Sequence, residues 1–277
     1  VAGTSVVIEE FIDGQELSYL VFTDGISYSL MPAAQDHKRA NDNDEGLNTG
    51  GMGAYAPAPL ATDVLTKKVE ETIVKKVIAA MRSENLDYKG VLYIGVIMNV
   101  GAPFVLEFNC RFGDPETQVV LPLLETDLSD ICNAILNKKL SEIEIKWKKE
   151  FAVCVVLASG GYPGKFEKGF EISGLDNFES IYGAESVVFH AGTALAQVPE
   201  NKETILLTLS ESLTAAAQSA SQKYITSGGR VLTVTSLGAD IKSAIDKVYL
   251  KAGLISFKNM HYRKDIAQKA LRGLNGK

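Results

Sequence analysis

Two Asp-Gly pairs near the start of the chain, Asp13-Gly14 and Asp24-Gly25, each sit between runs rich in β-branched and aromatic residues. Asp-Gly flanked by apolar runs is a local signal for a tight reversal, because glycine readily takes the positive φ that such turns demand. The segments TSVVIEEF, QELSYLVF and ISYSLM are therefore expected to form an antiparallel meander. A second hairpin is expected from 90–99 and 103–109, around Gly101. Residues 32–62 are of the opposite kind, with many Gly, Pro, Asn and Asp and no sustained period. They read as one long loop, and a loop of that length within a compact domain is usually functional.

Val64, Leu65, Val69, Ile73, Val77, Ile78 and Met81 recur at helical spacing, which predicts an amphipathic helix over 63–85 with Asp63 as its N-cap. Residues 115–124 and 128–140 also read as helices. The charged stretch Lys146–Glu150 then precedes a new strand at Phe151, so a domain boundary is placed between 147 and 148. The second half alternates strands (151–158, 186–190, 230–236) with helices (211–225, 239–252, 263–272), a small α+β unit. The Ala- and Ser-rich stretch 211–223 is low in complexity and fits a surface helix or an insertion. No internal repeat is present.

Over 277 residues, 28 Lys+Arg stand against 34 Asp+Glu, a formal charge of −6, with 46% hydrophobic and 22% charged residues. That composition is globular and excludes a solvated, disordered chain. The acidic balance argues against nucleic acid or an anionic membrane as partner, so an anionic ligand has to be met locally. Cys110, Cys132 and Cys154 are odd in number and widely spaced, which suggests neither a disulfide framework nor a zinc site and fits a reducing, cytoplasmic location. The apolar run 151–158 falls far short of the roughly 20 residues that span a bilayer. The chain opens on Val1 with no Lys or Arg before Lys38, unlike a signal peptide, and reads as beginning inside a longer polypeptide.

The strongest candidate for chemistry is VLEFNCRFGDPE, Val105 to Glu116. On a strand Leu106, Phe108 and Cys110 share one face, expected to pack, while Glu107, Asn109 and Arg111 share the other. A carboxylate and an amide oxygen suit Mg²⁺, which takes the rest of its shell from water and phosphate, and the guanidinium would face an anionic group. A half-exposed strand whose polar face meets water fits the same pattern. The turn through Gly113, Asp114 and Pro115 into a helix favours the functional reading, since it holds Arg111 in place.

The long loop carries Gln35-Asp36-His37-Lys38-Arg39 and then Asn48 to Tyr55, with Gly50, Gly51, Met52 and Gly53 at its centre. Clustered glycines let successive amides turn toward an anion, and Lys38 and Arg39 supply charge. It is neither a Walker A loop nor a dinucleotide GxGxxG. Taken alone, such a segment is more often a plain turn, and His37 is more often structural than catalytic. A third and weaker set is Glu9, Glu10, Phe11 and Ile12 with Glu16. A strand edge can read adenine and a nearby carboxylate can bind ribose hydroxyls.

Taken in order, IEEFIDGQE, QDHKR with NTGGMGAYAPAP, and LEFNCRFGDPETQ resemble the glycinamide ribonucleotide synthetases (phosphoribosylamine–glycine ligases) of the ATP-grasp superfamily. The second half agrees through GGYPG, FHAGTAL, GGRVL and YRKDI. The resemblance implies an α+β fold with an ATP-grasp domain over 1–147, incomplete at its start, and a small α+β C-terminal domain over 148–277. It implies ligation of glycine to phosphoribosylamine at the expense of ATP, through a glycyl phosphate, in purine biosynthesis. Glu107 and Asn109 match the family's ligands for Mg²⁺ or Mn²⁺, and Glu9, Glu10, Phe11, Ile12 and Glu16 its adenine and ribose contacts. Lys38 and Arg111 match residues facing the transferred phosphate. Gly50, Gly51, Met52, Gly53, Asp114 and Arg230 would line the glycine and phosphoribosylamine side. The expected partners are these small molecules, with no nucleic acid or membrane, and fusion to other purine-synthesis domains is anticipated. The family's N-terminal domain and ATP-covering lid have no counterpart in this sequence, so the isolated chain is expected to be inactive. An inactive nucleotide-binding fragment and another ATP-grasp carboxylate–amine ligase are the alternative readings.

Overall fold

The computed structural model describes residues 6–175, 185–196 and 223–275. Residues 6–13, within the first expected strand, form none; Val6, Val7, Ile8 and Phe11 are exposed. β-branched residues make a strand only where a neighbour takes the backbone hydrogen bonds, and no described strand lies beside this segment. The meander itself begins one run later. Strand β1 (Gln15–Thr23) reverses through Asp24-Gly25, with Gly25 at φ +86°, into β2 (Tyr28–Leu30). Asp24 closes the turn by accepting from the amides of Ile26 and Ser27 at 2.9 and 2.6 Å.

Residues 32–62 are not one loop. They hold β3 (Gln35–Asp36), β4 (Arg39–Asn41), β5 (Glu45–Asn48) and β6 (Gly53–Ala56). Strands of this length are too short to show a period; β4 pairs with β5 and β3 with β6, and only β6 reaches a distant partner, β9. Next come α1 (Asp63–Val69), a π turn over Glu70–Val74 and α2 (Lys75–Ser83). The N-cap is Thr62, whose hydroxyl accepts from the Leu65 amide at 3.3 Å, and Asp63 occupies the first helical position. The expected hairpin follows as β7 (Gly90–Asn99) and β8 (Ala102–Asn109), reversing through Val100 and Gly101 at positive φ. The expected helix 115–124 shrinks to α3 (Thr117–Val120) and a 3-10 turn, Leu121–Leu123, where Pro122 lacks the amide a helix needs. Helix α4 (Leu128–Leu136) precedes the strand that opens the second half, β9 (Phe151–Ser159).

The second half contributes β10 (Ser186–His190), β11 (Thr193–Leu195), β12 (Tyr224–Thr226), β13 (Arg230–Gly238), α5 (Ile241–Ala252), β14 (Met260–His261) and α6 (Gln268–Asn275). The expected helix 211–225 lies outside the described residues up to 222, and its end is strand β12, paired with β11. The expected helix 263–272 begins later, at Gln268, because Arg263 to Ala267 are used as a latch described below.

One antiparallel sheet has the order β2-β1-β7-β8; the other runs β10-β13-β9-β6-β3, with β14 also paired to β9. Alternation along the strands sorts side chains into two cores. Leu17, Tyr19 and Val21 of β1, Leu92 and Ile94 of β7, and Val153, Val155 and Leu157 of β9 join one core with α1, α2 and α5. Leu20, Phe22, Tyr93, Ala152 and Cys154 point the other way and pack with α3 and α4. Burial on both faces explains why β9 reads as an unbroken apolar run. Strand β8 differs: it is an edge strand, and of the face expected to pack Leu106 is half-buried, Phe108 is 45% exposed and Cys110 is exposed. The face expected to pack is therefore uncovered by any described element. No helix among the described residues is long and apolar enough to cross a membrane.

Chain-distant ion pairs pin the short strands. Arg263 is 1% exposed and donates to both Asp265 carboxylate oxygens at 2.7 Å, to Asp44 at 2.8 Å and to the Arg39 carbonyl at 3.1 Å. Asp265 also accepts from the Asn43 amide at 2.8 Å, and Asp42 from the Lys264 amide at 2.7 Å. Removing one member of a buried ion pair leaves the others without compensation. Arg263→Met is expected to destabilise the fold by about 3 kcal/mol, seen as a lower urea midpoint with an unchanged slope.

Candidate functional site

Strand β3 and the residues after it set the geometry. Gln35 and His37 are 2% and 1% exposed, whereas Asp36 and Lys38, on the alternate face, open onto a cleft. Gln35 is fixed by donating to the Glu16 carbonyl at 2.6 Å and by accepting from the Tyr55 hydroxyl. The His37 Nε2 accepts from the Ala267 amide at 3.3 Å while Nδ1 has no partner, and burial pushes the imidazole down to about 3. It is a neutral core residue, its ring 5.9 Å from that of Tyr55.

The cleft has two adjoining cavities that share Asp36 and Lys38. The wider, about 970 Å³, includes Glu16, Gln35, Arg39 and Lys269 in its walls. The narrower, about 180 Å³, is lined also by Glu107, Asn109, Arg111 and Asp114. Two sequence-distant candidates, Lys38 and the segment carrying Glu107, Asn109, Arg111 and Asp114, are thus brought together. A β-bulge helps: Glu107 faces Gly95 but Val105 already faces Val96, so Leu106 is the extra residue and Glu107 is aimed across Gly95. A Cβ on Gly95 would lie 3.2 Å from Glu107 Cγ, which is why the small residue stands there. The Arg111 guanidinium donates to the Phe112 carbonyl at 2.8 Å.

The Lys38 ammonium pairs with the Glu16 carboxylate. Burial works against its charge, but Asp36, Glu16 and Glu107 outweigh that and raise its pKa. Asp36 moves the other way for a carboxyl: burial, then the charges of Glu116 and Glu16, raise it to about 7 against the opposing pull of Lys38 and Lys269. Glu116, 3% exposed, accepts from the Ser18 and Tyr93 hydroxyls, both at 2.9 Å. Asp36 sits inside the quoted QDHKR motif and shares Lys38's face by the two-residue period, a signal that was available. Glu116 closes the VLEFNCRFGDPE motif and lines the narrow cavity beside it, whereas Lys269 reaches the cleft only through tertiary packing, and no local pattern marks it.

The glycine segment does not cradle an anion. The Gly50 amide donates to the Tyr162 hydroxyl at 3.0 Å, Gly51 to Thr49 Oγ1 at 2.9 Å and Met52 to the His37 carbonyl at 2.8 Å. Gly51, Met52 and Gly53 are buried and only Gly50 lines a cavity. The glycines are required by close packing instead. A Cβ on Gly53 would lie 2.5 Å from the Cys154 carbonyl, because β6 is paired directly onto β9. Arg230 completes the turn by donating to the Gly50 carbonyl at 2.7 Å, the Asp114 carbonyl at 2.9 Å and the Asp114 carboxylate at 3.0 Å. Arg230 and Asp114, expected on one side of the site, do meet. Glu9, Glu10, Phe11 and Ile12 lie outside both cavities, in the extended segment before β1, and of that set only Glu16 reaches the cleft.

Among the described residues no group of three His, Cys, Asp or Glu could hold a metal. One carboxylate and one amide side by side, Glu107 and Asn109, remain the donor set for an ion bound chiefly through phosphate and water.

Residues 1–117 match the family model for the phosphoribosylglycinamide synthetase ATP-grasp (A) domain, and residues 152–269 match the C domain of the same synthetase. The chain belongs to the phosphoribosylglycinamide synthetase family. It is 46% identical over 275 residues to the trifunctional purine biosynthetic protein adenosine-3 of Gallus gallus, covering 99% of this chain and 25% of that protein. A crystal structure of phosphoribosylamine–glycine ligase from Thermotoga maritima superposes with a TM-score of 0.69 at 33% identity, over 93% of this chain and 56% of that one. The biotin carboxylase domain of Hydrogenobacter thermophilus 2-oxoglutarate carboxylase, solved with MgADP and bicarbonate, shares the fold at 12% identity, with a TM-score of 0.55 over 90% of this chain and 47% of that one. The fold is ATP-grasp, of the α+β class. The chain spans a quarter of the first relative's length and about half of each solved chain. The family's A-domain match ends one residue past Glu116, and its C-domain match begins within β9.

Asp36 gives a stability test of the cleft's electrostatics. Its raised pKa means that the folded chain keeps a proton that the unfolded chain has released, so stability falls as pH rises between about 4 and 7 and then levels off. Asp36→Asn removes that loss. Its melting temperature is expected to gain on the wild type as pH goes from about 5 to about 8 in thermal scans.

Proposed function

We propose that the protein supplies the phosphate-transfer centre of a phosphoribosylamine–glycine ligase, which joins glycine to phosphoribosylamine with ATP as the energy source. The observation that supports this best is the meeting of Lys38, from the turn after β3, with Glu107 and Asn109 of β8 and Arg111 just beyond it, on one cavity of about 180 Å³. In this reading the glycine carboxylate attacks the γ-phosphate of ATP and forms glycyl phosphate. The amine of phosphoribosylamine then displaces phosphate. Lys38 and Arg111 face the transferred group and orient it, so that catalysis is mostly positioning and electrostatics. Glu107 and Asn109 would hold Mg²⁺, which when bound neutralises charge on the phosphates.

Glu16 contributes by holding Lys38 and by its place at the ribose side of the cleft. Asp114, with Arg230 and Gly50, forms the wall on the glycine side, while Gly51, Met52 and Gly53 support that wall from beneath. Glu9 to Ile12 are assigned to adenine, which requires that they be drawn into a strand when nucleotide binds. Cytoplasmic location and fusion to further purine-synthesis domains belong to the same reading; the free thiols Cys110, Cys132 and Cys154 and the multifunctional chicken relative support them. The division at 147/148 is proposed as a division of modules that share a sheet, since β6 pairs with β9 across it.

The test is ADP release that depends on both glycine and phosphoribosylamine, in the complete enzyme carrying this chain. Glu107→Gln is expected to lower that rate roughly 100-fold, more than any single change in the second half, because it removes charge from the transfer centre itself. An unaltered rate would remove Glu107 from the centre.

A further inference from the structure

Ligation through an acyl phosphate leaves a proton to be disposed of. When the amine nitrogen bonds to the acyl carbon and the carbon–oxygen bond to phosphate breaks, the nitrogen must shed a proton, and a positioned side chain that takes it speeds the step. The acceptor has to line the cleft, carry a free lone pair and lie between the transfer centre and the space from which the amine arrives.

The carboxylates of the cleft can be sorted by what already occupies them. Glu16 is bound to Lys38 and Asp114 to Arg230. Glu116 is occupied by the Ser18 and Tyr93 hydroxyls. Glu107 is assigned to the metal, and His37 is sealed in the core. Asp36 is occupied by none of these: nothing among the described residues donates a hydrogen bond to its carboxylate, and Lys269 reaches only its backbone carbonyl, at 3.4 Å. Glu107 shares that freedom but lines only the narrow cavity and is set apart as a metal ligand. It is also one of the two residues, with Lys38, that belong to both cavities. The narrow one holds the transfer centre and the wide one has room for a sugar phosphate.

We propose that Asp36 is the general base of the second half-reaction, taking the proton from the amine of phosphoribosylamine as that amine displaces phosphate from glycyl phosphate. The inference rests on the ligase reading above. The step balances: the nitrogen–carbon bond forms, phosphate leaves with the electron pair of the broken carbon–oxygen bond, and the proton moves from nitrogen to the Asp36 carboxylate, which later gives it to water. The groups facing Asp36 are Glu116, Glu16, Lys38 and Lys269. Burial raises its pKa, Glu116 and Glu16 add to that, and Lys38 and Lys269 oppose it, which leaves the group near neutrality, where a base can both accept and release a proton. No other residue of the QDHKR motif combines exposure to both cavities with a basic oxygen.

The experiment separates the two half-reactions in the complete enzyme. Hydroxylamine is unprotonated at neutral pH and traps an acyl phosphate without help, so glycine hydroxamate formation reports the first half-reaction alone. Phosphoribosylamine-dependent phosphate release reports both. In Asp36→Asn the ratio of the second rate to the first is expected to fall at least 100-fold relative to wild type, and Asp36→Glu is expected to recover part of that loss. A ratio unchanged from wild type, whether both rates fall together or neither does, overturns the assignment. If both fall while the variant melts no lower than wild type, Asp36 belongs to phosphate transfer instead. Wild-type enzyme that makes no glycine hydroxamate overturns the ligase reading itself, and the role of Asp36 with it.

Discussion

The pairing of β6 with β9 is the constraint on which the rest of the site depends. Four residues, Gly53 to Ala56, lie against Ala152 to Val155 in antiparallel register, and this small strand carries β3 into the same sheet. Once β3 is anchored there, its two-residue period sends Gln35 and His37 into the core and Asp36 and Lys38 into the cleft. The pairing needs the backbones to approach so closely that position 53 has no room for a Cβ. The glycines of this segment are thus explained by packing, and the amides that an anion would have used are spent on Tyr162, Thr49 and the His37 carbonyl.

The same pairing decides how the halves communicate. The second half does not merely sit beside the first: Tyr162 accepts from the amide of Gly50 and Arg230 donates to its carbonyl, so both polar groups of one peptide residue are held from across the module division. Arg230 then reaches Asp114, which lies three residues beyond Arg111. The C-terminal segment adds a second grip through buried Arg263 on Asp44 and the Arg39 carbonyl. Short strands with few bonds of their own are held by charged contacts from far along the chain, which is where the order of the 36–50 segment comes from.

How much of this was legible in the sequence follows from how local each feature is. The reversals at Asp24-Gly25 and Gly101 were, because a turn's demand on φ is met by the residue that stands there. So was β9, whose unbroken apolar run reports burial on both faces. The strands of 35–56 were not, since two- to four-residue strands carry no period, and the one that anchors them, β6, owes its place to a partner about a hundred residues away. Alternation correctly grouped Glu107, Asn109 and Arg111, but it could not foresee that the opposite face of an edge strand stays uncovered. The run Val6 to Phe11 shows the converse: β propensity without a described neighbour yields no strand.

Under the proposed function an acidic chain must concentrate what positive charge it has, and the cleft gathers it. Lys38, Arg111, Arg230 and Lys269 come from separate segments, and each is held by acidic or carbonyl oxygens, so that none has to be ordered at the moment an anion arrives. Preorganised charge of this kind acts without reorganisation, and in a confined site it is screened less than it would be on an open surface. The cost is a crowd of carboxylates needed to hold the cations in place. Glu16 and Asp114 are neutralised by Lys38 and Arg230, and Glu116 is held by two hydroxyls. Asp36 is left over by the arithmetic of that arrangement, and a leftover carboxylate at the junction of two cavities is a group free to do proton chemistry.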